Sequence, residues 1–69
     1  MTEADAKRIA RDDLRIQDGQ GVMIQSNGQA STPHYHNNED EAKRGRKHVD
    51  GWYVWNENGN IKAEKQHGY

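Results

Sequence analysis

Two Asn-Gly dipeptides, Asn27-Gly28 and Asn58-Gly59, constrain this chain more than any other feature. Asn and Gly both tolerate positive φ, which a two-residue hairpin loop demands because its twist must match that of the strands it joins. Each dipeptide follows a short run of strand-forming residues, Gly21-Val22-Met23-Ile24-Gln25 and Trp52-Tyr53-Val54-Trp55-Asn56. Both therefore read as hairpin centres. The second hairpin spans about 52–66 and returns over Asn60 to Gln66. Counting back from a two-residue loop pairs Asn56 with Ile61, Val54 with Ala63 and Trp52 with Lys65 on one face. The other face pairs Trp55 with Lys62 and Tyr53 with Glu64. The first hairpin spans about 21–36. Its return strand, Ala30 to His36, contains Pro33, which cannot donate to a ladder and marks an edge or a break.

Residues 3–17 read as a helix. Thr2 suits the N-cap, and Asp5 stands where the reciprocal acid of a capping box belongs. Ala6, Ile9, Ala10, Leu14 and Ile16 fall near one helical stripe. Glu3–Lys7 and Arg8–Asp12 are four apart on the other side, and Gly19 is a natural stop. Residues 38–48 read as a short helix or a loop. Glu39, Asp40 and Glu41 stand at its start and Lys43, Arg44, Arg46, Lys47 and His48 at its end, which suits a helix dipole. Gly45 weakens it, and Ala42 and Val49 give it only a thin packing face.

The expected fold is α+β: one domain over 1–69, in the order α-β-β-α-β-β, with helices packed on one face of a four-stranded antiparallel sheet. Composition sets its limits. Hydrophobic residues make up 30% of the 69 positions. A domain this small buries only about 60% of its extended-chain surface, so its core alone provides little stability. Cysteine is absent, which removes disulfides and thiolate metal sites and fits a cytoplasmic protein. No apolar run is long enough to span a membrane, and Met1 to Asp5 lacks the pattern of a secretory signal. The net charge of -1 gives no global field toward nucleic acid or acidic lipid.

Gly21-Val22-Met23-Ile24, Gly28, His36 and Glu41-Ala42-Lys43-Arg44-Gly45-Arg46 resemble the first half of a small bacterial domain family of unknown function. Val54, Asn58-Gly59, Ile61 and His67-Gly68-Tyr69 are similar to its end. The resemblance covers about residues 20–69, with Val22 where the family carries Trp. It implies a β-β-α-β-β plan and brings no known activity or catalytic residue.

Three sets of residues are candidates for function. Trp52, Tyr53 and Trp55 place large rings on both sheet faces. Either Trp52 and Val54 are core while Tyr53 and Trp55 are displayed, or the reverse. A displayed pair suits a protein partner, because Trp and Tyr dominate interface hot spots. Lys43, Arg44, Arg46 and Lys47 form a basic segment beside that strand. Together with Trp55 they suit single-stranded nucleic acid, phosphates meeting the cations and bases the ring. As a solvated helix end they simply offset Glu39, Asp40 and Glu41. His34 and His36 alternate by two and point to one strand face, which permits a metal but lacks the usual zinc spacing.

No Gly-rich phosphate loop, nucleophile elbow or His-Glu-x-x-His is present, so the sequence points away from an enzyme and implies no cofactor. The reading is a small, non-catalytic, cytoplasmic protein-interaction module, of the kind that serves as an accessory or inhibitor protein in phages and mobile elements, whose working surface is Trp52, Tyr53 and Trp55 with the neighbouring Lys43, Arg44, Arg46 and Lys47. Its expected partner is an unidentified protein, with a second copy of the chain as one form of it. A nucleic-acid module and a metal-binding module are the alternatives.

Overall fold

The computed structural model describes residues 1–29 and 50–67. It is an α+β arrangement, with one helical segment and an antiparallel sheet of three strands among the described residues. The expected return strand over 30–36 and the helix or loop over 38–48 lie outside the described residues. So do His34, His36, Lys43, Arg44, Arg46 and Lys47.

Helix α1 spans Glu3–Arg8 and continues as a π-helical turn over Ile9–Asp13. The capping box forms as expected. The Asp5 backbone N–H donates to the Thr2 hydroxyl at 3.2 Å, and the Thr2 N–H donates to the Asp5 carboxylate at 3.0 Å. These bonds to Thr2 hold the Asp5 carboxyl below the usual aspartate range. The helix ends earlier than residue 17. Arg15 takes φ +53, the left-handed conformation that stops a helix. The last turn widens first: Leu14 N–H reaches the Ile9 carbonyl at 2.9 Å and Ile16 N–H the Ala10 carbonyl at 3.1 Å. The widening returns Ile16 to the core, where it is 5% exposed. It also shifts the surface ion pairs. Arg8 pairs with Asp13, five residues on, instead of Asp12, which takes a bond from Arg11 at 2.8 Å. That bond draws the Asp12 carboxyl down as well.

A turn over Gln17–Gln20 leads into the sheet, with Gly19 at φ +81 and a Gln20 N–H to Gln17 carbonyl bond of 2.9 Å. Gly19 and Gln20 together face Asn56: Gly19 N–H donates to the Asn56 carbonyl, and Asn56 N–H donates to the Gln20 carbonyl. Two residues thus oppose one, a β-bulge with glycine at its left-handed position.

The strands are β1 (Gly21–Gln25), β2 (Gly51–Glu57) and β3 (Asn60–Gln66), in the order β1-β2-β3. β2 is central. It pairs β1 with Val22 opposite Val54 and Ile24 opposite Trp52, and β3 with Val54 opposite Ala63 and Trp55 opposite Lys62. The β2–β3 register is the one counted from Asn58-Gly59. Both residues take positive φ, +55 and +87, as a type I′ turn requires. The first Asn-Gly behaves differently. Only Gly28 has positive φ, at +92, and its N–H bonds the Gln25 carbonyl at 2.8 Å. The loop is one residue longer than the tight hairpin expected there. At the same corner Ser26 N–H meets the Asp50 carbonyl at 3.2 Å, which brings the ends of the 27–49 excursion together.

The helical segment covers the sheet face formed by Val22, Ile24, Trp52, Val54, Ile61 and Ala63. Ala6, Ala10, Val22, Ile24 and Val54 are fully buried there. The small alanines let the helix backbone approach the β-branched layer closely. Gly51 serves the same end between strands: a Cβ there would sit 2.0 Å from the Ile24 carbonyl oxygen.

Candidate binding surface

Alternation along β2 divides the aromatic run between the two faces. Trp52, Val54 and Asn56 turn toward the helix; Tyr53, Trp55 and Glu57 turn away from it. The three rings therefore do not form one surface. Trp52 is half-buried beside the helix-side core, with the Lys65 ammonium 5.4 Å from its ring centre. Its indole N–H is buried and has no hydrogen-bond partner among the described residues.

On the outer face, Tyr53 and Trp55 stack with ring centres 6.2 Å apart and planes at 24°. Such offset pairs contribute about 0.5–1.5 kcal/mol beyond their burial. Gly21 makes the arrangement possible. It lies opposite Trp55, and a Cβ there would sit 2.2 Å from the indole Cε3. Without that Cβ the indole rests directly on the β1 backbone. Met23 and Tyr53 form the buried floor, at 2% and 3% exposure, and Trp55 is half-buried against them.

Beside this pair runs a groove of about 220 Å³, lined by Tyr53, Trp55, Glu57, Lys62, Ala63 and Glu64. Lys62 and Glu57 form an ion pair across the hairpin. Among the described residues, two carboxylates against one ammonium leave the lining one charge negative. The groove thus offers an aromatic wall, a carboxylate rim and one ammonium. Among the described residues its lining contains no serine, cysteine or histidine.

Of the residues singled out by sequence, the structure places Trp55 at this groove, Tyr53 beneath it as a buried support, and Trp52 on the opposite face. Sequence reasoning misses Glu57, Lys62 and Glu64 as site residues. The signal for two of them is present, because the Asn58-Gly59 register sets Lys62 beside Trp55 and Glu64 beside Tyr53. Asn56 is missed altogether. It is 8% exposed, donates from Nδ2 to the Ile16 carbonyl at 2.8 Å and accepts from Gly59 N–H at 2.9 Å. With the Asn58 N–H to Asp18 bond of 2.6 Å, it joins the helix exit to the hairpin that carries the groove.

Among the described residues no cluster of three His, Asp or Glu side chains could hold a metal, and no helix is long and apolar enough to cross a membrane. No protein-family model, curated protein or solved structure matches the chain.

Proposed function

We propose that the chain is a small non-catalytic protein-interaction module whose docking surface is the outer sheet face around Trp55. The observation that carries this reading is the stacked Tyr53–Trp55 pair beside an open groove on the face turned away from the helix. At about 220 Å³ the groove is smaller than the roughly 300–1,000 Å³ of small-molecule sites. That volume suits one apolar or aromatic side chain of a partner protein, laid against the Trp55 ring. Tyr53 is rigidly supported, so little side-chain entropy is lost on docking. The Glu57 and Glu64 carboxylates beside Trp55 repel phosphates, which favours a protein partner over nucleic acid.

The proposal extends to the four-stranded plan. Even-numbered residues of β1 turn their backbone toward β2, as the Ser26 to Asp50 bond illustrates. Gln25 turns its N–H the other way, onto the Gln29 carbonyl at 2.8 Å, which supports a hairpin on the outer side of β1.

The test is affinity capture with the wild-type chain, Trp55→Thr and Glu57→Lys, each checked for fold by circular dichroism. The proposal expects one set of proteins held by the wild type, lost with Trp55→Thr and weakened with Glu57→Lys. Equal recovery by all three would overturn it. Saturable quenching of tryptophan fluorescence by short DNA or RNA, weakening steeply with salt, would replace it with the nucleic-acid reading.

A further inference from the structure

The far edge of β3 is a second surface, which shares Lys62, Ala63 and Glu64 with the lining of the Trp55 groove. Asn56 donates its backbone N–H toward β1, so the odd-numbered residues of β2 bond β3. Their partners in the register are Asn60, Lys62, Glu64 and Gln66. The backbone N–H and carbonyl groups of Ile61, Ala63 and Lys65 therefore point outward. Among the described residues no strand pairs with that edge. Ile61 and Ala63 are also partly exposed apolar side chains on the helix side, packed against the core cluster and lying along the open edge.

We propose that a second copy of this chain pairs with this edge, β3 against β3, antiparallel about a two-fold axis beside Ala63. An isologous pairing must be self-complementary, and the sequence of β3 satisfies that condition. With Ala63 opposite Ala63 of the partner subunit, Ile61 faces Lys65 of the partner subunit and Asn60 faces Gln66 of the partner subunit. Lys62 faces Glu64 of the partner subunit, and the pair occurs twice by symmetry. The charges match, and they fall at the positions where an antiparallel ladder brings side chains closest. The hydrogen-bonded pairs are those at Ile61, Ala63 and Lys65, and the pairs between them are the close, non-bonded ones. Three bonded pairs with two bonds each give about six new backbone bonds.

Lys62 already meets Glu57 on its own chain, and the incoming carboxylate shares the same ammonium. Edge strands ordinarily use charge to repel a neighbour; here only a mate in this register meets opposite charges. Because the axis stands perpendicular to the sheet, both helices stay on one face. The stem of Lys65 then covers Ile61 of the partner subunit. The joined sheet has six strands counted over the described residues.

The test is sedimentation of the whole chain over a range of concentrations, with amide hydrogen exchange at each limit. Mass should rise from 7.9 kDa toward twice that value. In the dimer, the Ile61, Ala63 and Lys65 amides should become protected, joining those of Lys62 and Glu64. Ala63→Pro removes the central outward N–H without touching a bond to β2, and should abolish the dimer. Glu64→Lys sets like charges opposite each other twice and should weaken dimerisation roughly tenfold. Adding Lys62→Glu to it should restore the affinity, which loss of folding cannot mimic. A chain that stays monomeric at the highest concentration would overturn the proposal. So would a dimer whose Ile61, Ala63 and Lys65 amides exchange freely, or one indifferent to the charge swap. Protection of those amides only in the presence of another protein would assign the edge to a foreign strand and overturn self-pairing.

Discussion

Asn56→Asp is the most informative single change. The side chain is 8% exposed and ties two segments 40 residues apart in sequence. Aspartate keeps the shape, and it keeps the oxygen that accepts from Gly59 N–H. It replaces the Nδ2 donor, 2.8 Å from the Ile16 carbonyl, with a second acceptor. One hydrogen bond is lost, a buried carbonyl loses its donor, and a negative charge is set against it. The first two effects together amount to about 2–3 kcal/mol. Proteins have roughly 0.05–0.15 kcal/mol of stability per residue, so a chain of this length has about 3–10 kcal/mol in total. The variant should therefore melt about 10–20 °C lower at neutral pH, at about 4–8 °C per kcal/mol for a domain of this size.

The loss should also depend on pH, with a definite sign. When protonated, the carboxyl introduced by Asn56→Asp can donate to the Ile16 carbonyl, so folding raises its pKa above the unfolded value of about 3.9. A group raised on folding contributes its stability fully below the unfolded pKa and loses it as pH rises through the folded pKa. The melting difference between wild type and variant should thus shrink in acid and widen toward neutrality. Equal melting temperatures at neutral pH, or a difference that does not change with pH, would refute the role assigned to Asn56.

Other perturbations probe separate parts of the structure. Gly51→Ala drives a Cβ to 2.0 Å from backbone and should cost about 3 kcal/mol, the upper end for overpacking, read by chemical denaturation. Gly21→Ala strikes a side chain instead, so the Trp55 indole should swing away with a change in near-ultraviolet circular dichroism and a smaller loss of stability. Asn58→Ala places a Cβ-bearing residue without a local side-chain bond at φ +55; it should cost about 1–2 kcal/mol, while Asn58→Gly should be nearly neutral. Asp5 should titrate below ordinary aspartates because of its bonds to Thr2. Its contribution to stability is present above the unfolded pKa and lost as pH falls through the lowered folded pKa. Asp5→Asn should flatten that part of the acid limb in melting curves.

The second hairpin is legible in full from sequence, because its turn is a local matter. Asn58 and Gly59 both adopt the conformation that sets the β2–β3 register, and every pair follows from it. The helix start is equally legible, since the Thr2–Asp5 cap involves neighbours only. The helix end is not. Arg15 carries no sign of a left-handed residue; it adopts one so that Leu14 and Ile16 both reach the sheet. The pairing of β1 with β2 is set across the 26–50 connection and leaves no short-range pattern. Asn56 follows the same rule. An asparagine at a strand end looks like surface until the partner at Ile16, far away in sequence, is brought to it. Within the aromatic strand, alternation foretells that Trp52 and Trp55 part company. Which of them faces the helix depends on where the helix docks.

The functional account rests on that division of the two indoles, and one measurement tests it directly. Nuclear Overhauser contacts from each tryptophan ring can be assigned in the isolated chain. Trp55 should contact the Gly21 α-protons, shifted upfield by the ring above them, and the Tyr53 ring, while Trp52 should contact Ile24 and the Lys65 side chain. Contacts from Trp55 to Ala6 or Ala10, with Trp52 on the outer face, would contradict the account and move the proposed docking surface to the other side of the sheet.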